Sequence, residues 1–174
     1  QEFYAYAEAI LRNIRRLDKA IDEMRQVNLG GTAIGTGLNT NIEYYKKIVP
    51  NLRKLTGIHF IQASDMIDAT QNMDPFVAVS GSIKACAVTL SKIANDLRLM
   101  SSGPNTGLSE INLPARQNGS SIMPGKVNPV IPEVVNQVAF YVIGNDTSIT
   151  LACGEGQLEL NPFGPIIFYC MYQS

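Results

Sequence analysis

Between residues 1 and 29, Phe3, Ala7, Ile10, Ile14, Leu17, Ile21 and Met24 recur at alternating spacings of four and three. That spacing lays them along one stripe of a helix, a heptad seam. Arg12, Arg15, Arg16, Asp18, Lys19, Asp22 and Glu23 fall on the other faces, the pattern of a solvated surface rather than a basic binding patch. One seam does not offset the ordering of so long a helix, so the pattern predicts a bundle around it. Gly30 and Gly31 end the helix, and GGTAIGTGLNT forms a glycine-rich connection. A dinucleotide-binding turn would need a strand before its glycines, and a phosphate loop a lysine after them; both are lacking, so a turn permitting close passage of helices is expected.

NIEYYKKIVPNLRKLTG, starting at Asn41, predicts a shorter helix that Pro50 kinks or interrupts and Gly57 ends. SDMIDATQNMD supplies polar caps. From about Phe76 a long helix runs to Met100 with Ile83, Ala87, Leu90, Ala94 and Leu97 on one face, ending at Ser101-Ser102-Gly103-Pro104. Residues 129–153, PVIPEVVNQVAFYVIGNDTSITLAC, carry only Glu133 and Asp146 as charges. A helix apolar nearly all round must be surrounded by protein, and a chain this short cannot hide it on every side. The expected fold is therefore all-α, a long-helix bundle of one domain with this segment near the core of an oligomer. Gly144-Asn145-Asp146 marks a local irregularity, and no internal repeat or low-complexity segment interrupts the pattern.

Composition narrows the function classes without changing that picture. The chain has 174 residues, 45% hydrophobic and 17% charged, with a formal net charge of -1 and no Trp. Such a chain folds, and it has neither the basic field nor the stacking residues that nucleic acid requires. No uninterrupted apolar run reaches the ~20 residues of a membrane span, and QEFYAYAEAILRNIRR lacks a signal-peptide pattern, so a cytoplasmic location is expected. Cys86, Cys153 and Cys170 are odd in number, widely spaced and in apolar surroundings, which predicts reduced thiols rather than disulfides or a zinc site. His59 has no partner at useful spacing and is assigned to surface or packing.

The chemistry concentrates in GSSIMPGKVNP, residues 119–129. Asn128 before Pro129 reads as a helix start, with asparagine capping and proline in the first turn. Lys126 and Asn128 are then presented at a positive helix end, while Gly119 and Gly125 permit close backbone approach, a combination suited to a carboxylate. Ser120 and Ser121 have two readings: turn formers bonded to their own backbone, or a base for a carbon acid in a closed, electropositive site. The nucleophile-elbow pattern is absent, which disfavours a serine hydrolase. Glu133, about a turn and a half into the following helix, is either a favourable N-terminal charge or a partner orienting a site group.

At these residues the sequence resembles the aspartase/fumarase superfamily, whose GSSxMPxKxN signature is matched by Gly119, Ser120, Ser121, Met123, Pro124, Lys126 and Asn128. VNLGGTAIGTGLNT, KIANDLRLMSSGP, EINLPARQ and IGNDTSITLACGEGQLELN also look like successive parts of the family's central helical domain. The resemblance thus covers essentially the whole chain. PVIPEVVNQVAFYVIGND is similar to the branch that releases ammonia from L-aspartate, rather than to the fumarate hydratases, which remain the alternative. The resemblance implies that Ser120 is the general base, with Glu133 also catalytic. It makes Ser121, Lys126, Val127 and Asn128 substrate-binding positions for a small dicarboxylate, and it implies a homotetramer with no metal or organic cofactor.

Family members are longer, three-domain chains, so residues 1–174 are expected to be an incomplete central domain. The family's Thr-His substrate motif, its upstream ligand loops and its carboxy-terminal domain have no counterpart here. Because family sites combine three subunits, a catalytically silent oligomerisation module is the second hypothesis for the chain alone. Asn105 stands where the family carries arginine, Gly164 where glutamate is usual and Pro162 where valine is common, so the helix after Asn161 is expected to start late or bend.

Overall fold

The computed structural model describes residues 1–174. Helix α1 (Glu2–Glu23) is followed by a two-residue strand β1 (Gln26–Val27), α2 (Ile42–Thr56), β2 (Ile61–Gln62), the single turn α3 (Asp68–Gln71), α4 (Asp74–Met100), α5 (Val130–Gly154) and α6 (Gly164–Gln173). The two strands pair in parallel and tie the ends of the connecting segments together. The main helices pack in the order α1, α4, α5, α6. Cross-helix bonds join Asn13 to Thr89, Asn136 to Ser91 and Asn145 to Ser174, so each neighbouring pair runs antiparallel.

The all-α bundle is as the residue pattern predicted; the face by which α1 joins it is not. That helix stops at Glu23, short of the glycines, because Arg25–Val27 turns into pairing with β2. Phe3, Ala7, Ile14 and Ile21 of the expected seam are exposed, and the buried positions are Asn13 and Ala20. Asn13 explains the rotation. It donates to the Ala9 carbonyl and to Thr89 Oγ1, at 3.0 and 2.9 Å, and accepts from Arg16. A buried amide with its bonds made in one orientation fixes which face meets α4.

Helix α2 follows its signals closely. Asn41 accepts from the Glu43 amide at 2.8 Å, and Gly57 closes the end in the left-handed conformation at φ 71°. Pro50 does not interrupt it, since Pro50 and Lys46, whose carbonyl loses its donor, are both exposed. Gly35, at φ 82°, lies so close to the Met66–Ile67 backbone that a Cβ would sit 2.3 Å from the Met66 carbonyl. The glycine-rich connection thus permits loop on loop, rather than helix on helix, to pass closely.

The α4–α5 contact is built from small residues: Ala87, Ala139 and Val142 form one buried cluster with Ile83 beside it. Ile149, Ala152, Ile167 and Cys170 form a second between α5 and α6. Asp146 is buried between α4 and α5, where Ser80 donates to it at 2.8 Å and Lys84 at 2.5 Å. Helix α5 runs through Gly144-Asn145-Asp146 without the irregularity expected there, because those side chains are satisfied across the interface rather than by local turns. Helix α4 is also long and apolar enough, by length and composition, to cross a membrane, contrary to the reading of uninterrupted runs. Its valines, alanines and isoleucines raise the average while Lys84 and Lys92 break the run.

Only 25 of 174 residues are buried, far fewer than a closed domain of this length would hold. The open area is mostly apolar helix surface, including Ile131, Val134, Val138, Phe140 and Leu151 of α5. The expectation that α5 is surrounded by protein is therefore met on one face alone. The three cysteines are free, Cys170 buried and the others half-buried. Helix α6 begins at Gly164, after Asn161 has spent its amide on the Ala152 and Cys153 carbonyls.

Candidate active site

The segment between α4 and α5 folds back on itself. Gly119 lies against Lys126, where a Cβ would stand 2.1 Å from the Lys126 carbonyl oxygen. The Lys126 amide donates to the Met123 carbonyl at 3.2 Å, and Gly125 takes φ 80° to close that turn. At the other end of the loop, the Ile122 amide donates to Ser120 Oγ at 3.1 Å. This is the turn-former geometry expected of a loop serine. It also places one donor on the oxygen that would carry charge in a base.

Lys126 and Val127 line a cleft of about 470 Å³ at the C-terminal end of α4, with Arg98 in the same wall. Two of the three serine hydroxyls in that wall, those of Ser101 and Ser102, are already engaged. Ser101 donates to the Arg98 carbonyl, and Ser102 donates to the Leu99 carbonyl and accepts from Leu108. Of the two charged groups in that wall, Arg98 is engaged with Asn136 Oδ1 at 3.4 Å, which leaves Lys126 to meet an anion.

Asn128 lines a neighbouring, largely apolar hollow with Leu97, Leu113 and Ile131. Its expected capping bond is absent, because Pro129 itself occupies the cap position and α5 begins at Val130. The side chain is then one residue too early to reach the first free amides. Glu133, in the first turn of α5, borders a third cavity of about 250 Å³ with Asn95, Arg98, Asn136 and Gln137. Its Oε1 is 3.8 Å from Arg98 Nη2. Ser120 and Ser121 line none of these three hollows. The structure therefore brings Lys126, Val127 and, through Arg98, Glu133 to one end of the bundle, with Asn128 beside them, and leaves both serines outside.

Arg98 is the residue missed by reading the chain alone. In the last turn of an otherwise apolar helix face, it passes for a charge complementing the helix dipole. Its usable signal is position, three residues before Ser101-Ser102-Gly103-Pro104. No group of three His, Cys, Asp or Glu side chains is placed to hold a metal ion.

Antiparallel long helices with a Gly-Ser-Ser to Lys-Val-Asn loop at one end define a helical scaffold of the fumarase type. Residues 1–144 match the family described as Lyase. The chain belongs to that family, within the aspartase/fumarase superfamily. It is 53% identical over its whole length to an aspartate ammonia-lyase of Bacillus subtilis (strain 168), of which it spans 37%. The fold superposes on a fumarate lyase:delta crystallin from Brucella melitensis bound to cobalt with a TM-score of 0.95 at 50% identity, covering 99% of this chain and 37% of that one. A class II fumarase from Schistosoma mansoni gives a TM-score of 0.94 at 33% identity, covering 99% and 40%. The chain thus spans little more than a third of the relatives it matches.

Proposed function

We propose that residues 1–174 are the central helical domain of an ammonia-lyase that converts L-aspartate to fumarate and ammonia. The observation that carries this reading is the full-length match, at 53% identity, to a protein named aspartate ammonia-lyase. The near-equal superposition on a fumarase shows why fold alone does not choose between ammonia and water as the leaving group. Fumarate hydratase remains the second reading for that reason.

In the proposed reaction the Ser120 alkoxide removes a proton from the carbon beside one substrate carboxylate. The electron pair moves onto that carboxylate as an enediolate-like intermediate, then returns to form the carbon–carbon double bond as the amine leaves from the adjacent carbon. Lys126 pairs a carboxylate and stabilises the charge as it develops, while Ser121, Val127 and Asn128 complete the substrate contacts. The Ile122 amide supports Ser120 by donating to the oxygen that must carry negative charge. Serine is a weak base in water, so the loop must close over the substrate and exclude solvent before the proton moves. Glu133 acts as a second catalytic group. The complete enzyme is proposed to be a cytoplasmic homotetramer whose other segments finish the site.

Two assays of the complete protein test this. Ammonia release from L-aspartate supports the lyase, and fumarate formed only from malate replaces it by the hydratase. Ser120→Ala abolishes turnover with the oligomer intact; retained turnover removes Ser120 as the base. For the isolated 174 residues we propose silence, on the open apolar faces and the partial site. A sedimenting tetramer with measurable turnover would overturn that.

A further inference from the structure

The structure assigns a positioning role to Arg98, which no sequence motif singled out; the assignment rests on the lyase reading above. Arg98 is the one residue lining both the Lys126 cleft and the Glu133 cavity. Its guanidinium reaches Glu133 Oε1 with Nη2 at 3.8 Å and Asn136 Oδ1 with Nη1 at 3.4 Å. Asn136 is itself fixed. It is 5% exposed, and its amide nitrogen donates to the Ser91 carbonyl at 3.1 Å and to Ser91 Oγ at 2.8 Å. Those two bonds decide the orientation of the amide, leaving Oδ1 aimed at Arg98.

The result is a directed relay across the α4–α5 seam, from Ser91 through Asn136 and Arg98 to Glu133. The first links are part-buried and doubly hydrogen-bonded, while the last pair is half-open, with side chains 42% and 38% exposed. An ion pair this exposed adds little to stability. Its arrangement suits a different task, holding a carboxylate in one direction at the rim of a cavity. A planar fork can bond two partners in fixed relation, which a lysine ammonium cannot do with the same geometry. Arg98 thus aims the Glu133 carboxylate.

The test is a double-mutant cycle in the complete protein with L-aspartate as substrate. Arg98→Gln is expected to lower kcat on the order of tenfold, the scale for groups that orient a reacting partner, with KM changed by less than about twofold. In a Glu133→Gln background the same substitution is expected to have almost no further effect, because the group it positions is gone. Arg98→Lys should fall between Arg98→Gln and the parent. Sedimentation of each variant checks that assembly is intact. If the Arg98→Gln and Glu133→Gln losses multiply independently, or if Arg98→Gln raises KM at constant kcat, Arg98 does not act through Glu133. If the parent itself releases no ammonia, the lyase reading fails and the assignment falls with it; an active parent with independent losses overturns the assignment alone.

Discussion

Asp146 offers a sharp test of how α4 and α5 are held in register. Its side chain is 5% exposed while that of Lys84 is 43% exposed, and the two meet at 2.5 Å with Ser80 donating to the other carboxylate oxygen at 2.8 Å. The asymmetry in burial makes the two halves of the pair unequal. Lys84→Met strands a buried carboxylate with one hydroxyl as its partner, and breaking such a pair costs about 3–5 kcal/mol. Because the lysine side of the pair is half-open and Ser80 stays bonded to the carboxylate, the value applies near its lower end, about 3 kcal/mol. Asp146→Asn keeps the shape and an acceptor for Ser80, and the half-open Lys84 ammonium turns to water, so the loss is one charged hydrogen bond of about 1.5 kcal/mol. Lys84→Met is therefore expected to be less stable than Asp146→Asn by about 1.5 kcal/mol per chain. Thermal and urea melts of the complete protein carrying each change measure the gap. Lys84→Met/Asp146→Leu, which removes both charges, should recover part of the Lys84→Met loss. If Lys84→Met is the milder single change, the register is not pinned by an ion pair and the reading of this contact is wrong.

Gly119→Ala forces the loop away from the Lys126 carbonyl, where its Cβ would lie at 2.1 Å. Steady-state assay should show kcat/KM lower on the order of 100-fold at a nearly unchanged melting temperature. Gly35→Ala and Gly37→Ala share positive φ values of 82° and 62°, but only Gly35 meets backbone, 2.3 Å from the Met66 carbonyl, while Gly37 has its nearest neighbour at 3.6 Å. Both incur the left-handed cost of about 1–2 kcal/mol, so a lower urea midpoint for Gly35→Ala than for Gly37→Ala isolates the clash. Hydrogen bonding to Asp96, then burial and nearby negative charge, push the Tyr6 phenol up to about 12. Its folded value exceeds the ordinary value of about 10, so its contribution is intact below pH ~10 and is lost as pH rises towards 12. Ultraviolet titration should find one late phenol that Asp96→Asn brings down; a late phenol that survives the change refutes the assignment.

The residues that told most about this fold are those whose meaning is local. Asn41 and Gly57 bound α2, and Ser101-Ser102-Gly103-Pro104 ends α4, because caps and breakers act within a few positions of themselves. What the chain did not reveal depends on partners far away in sequence. Asn13 turns the buried face of α1 by bonding Thr89, 76 residues on, and no periodicity of apolar residues reports that bond. Asp146 belonged to an expected irregularity at Gly144-Asn145-Asp146, and its use is defined by Ser80 and Lys84 on a distant helix. At the site, residue types suggested a carboxylate-binding loop, and Lys126 does line a cleft. Asn128 was misassigned as a cap because Asn-Pro is a good start signal only when proline takes the first helical position, and here it takes the cap. Arg98 stayed hidden for a related reason, since its role is defined by Glu133 and Asn136, both on the next long helix.

The open faces and the partial site belong to one physical problem. Val134 and Val138 of α5 are half-exposed or more, and Phe140 borders the same cavity as Glu133. Removing such side chains from water gains about 1.5–3 kcal/mol each on full burial, so a strong drive exists to cover this surface. Whatever covers Phe140 must also close over Glu133, because the two lie seven residues apart on one face of α5 and line one cavity. The same covering would take water from around Lys126, strengthening its attraction for a carboxylate in the cleft it lines. Under the tetramer proposal, assembly and completion of the site are therefore a single event rather than two. Under the same proposal, Ser120 becomes usable as a base only after assembly, when closure of its loop over the substrate can exclude water. That coupling gives a physical reason for placing the loop at the end of α5, which has only Glu133 and Asp146 as charges over 25 residues, where covering the helix and drying the site are the same step.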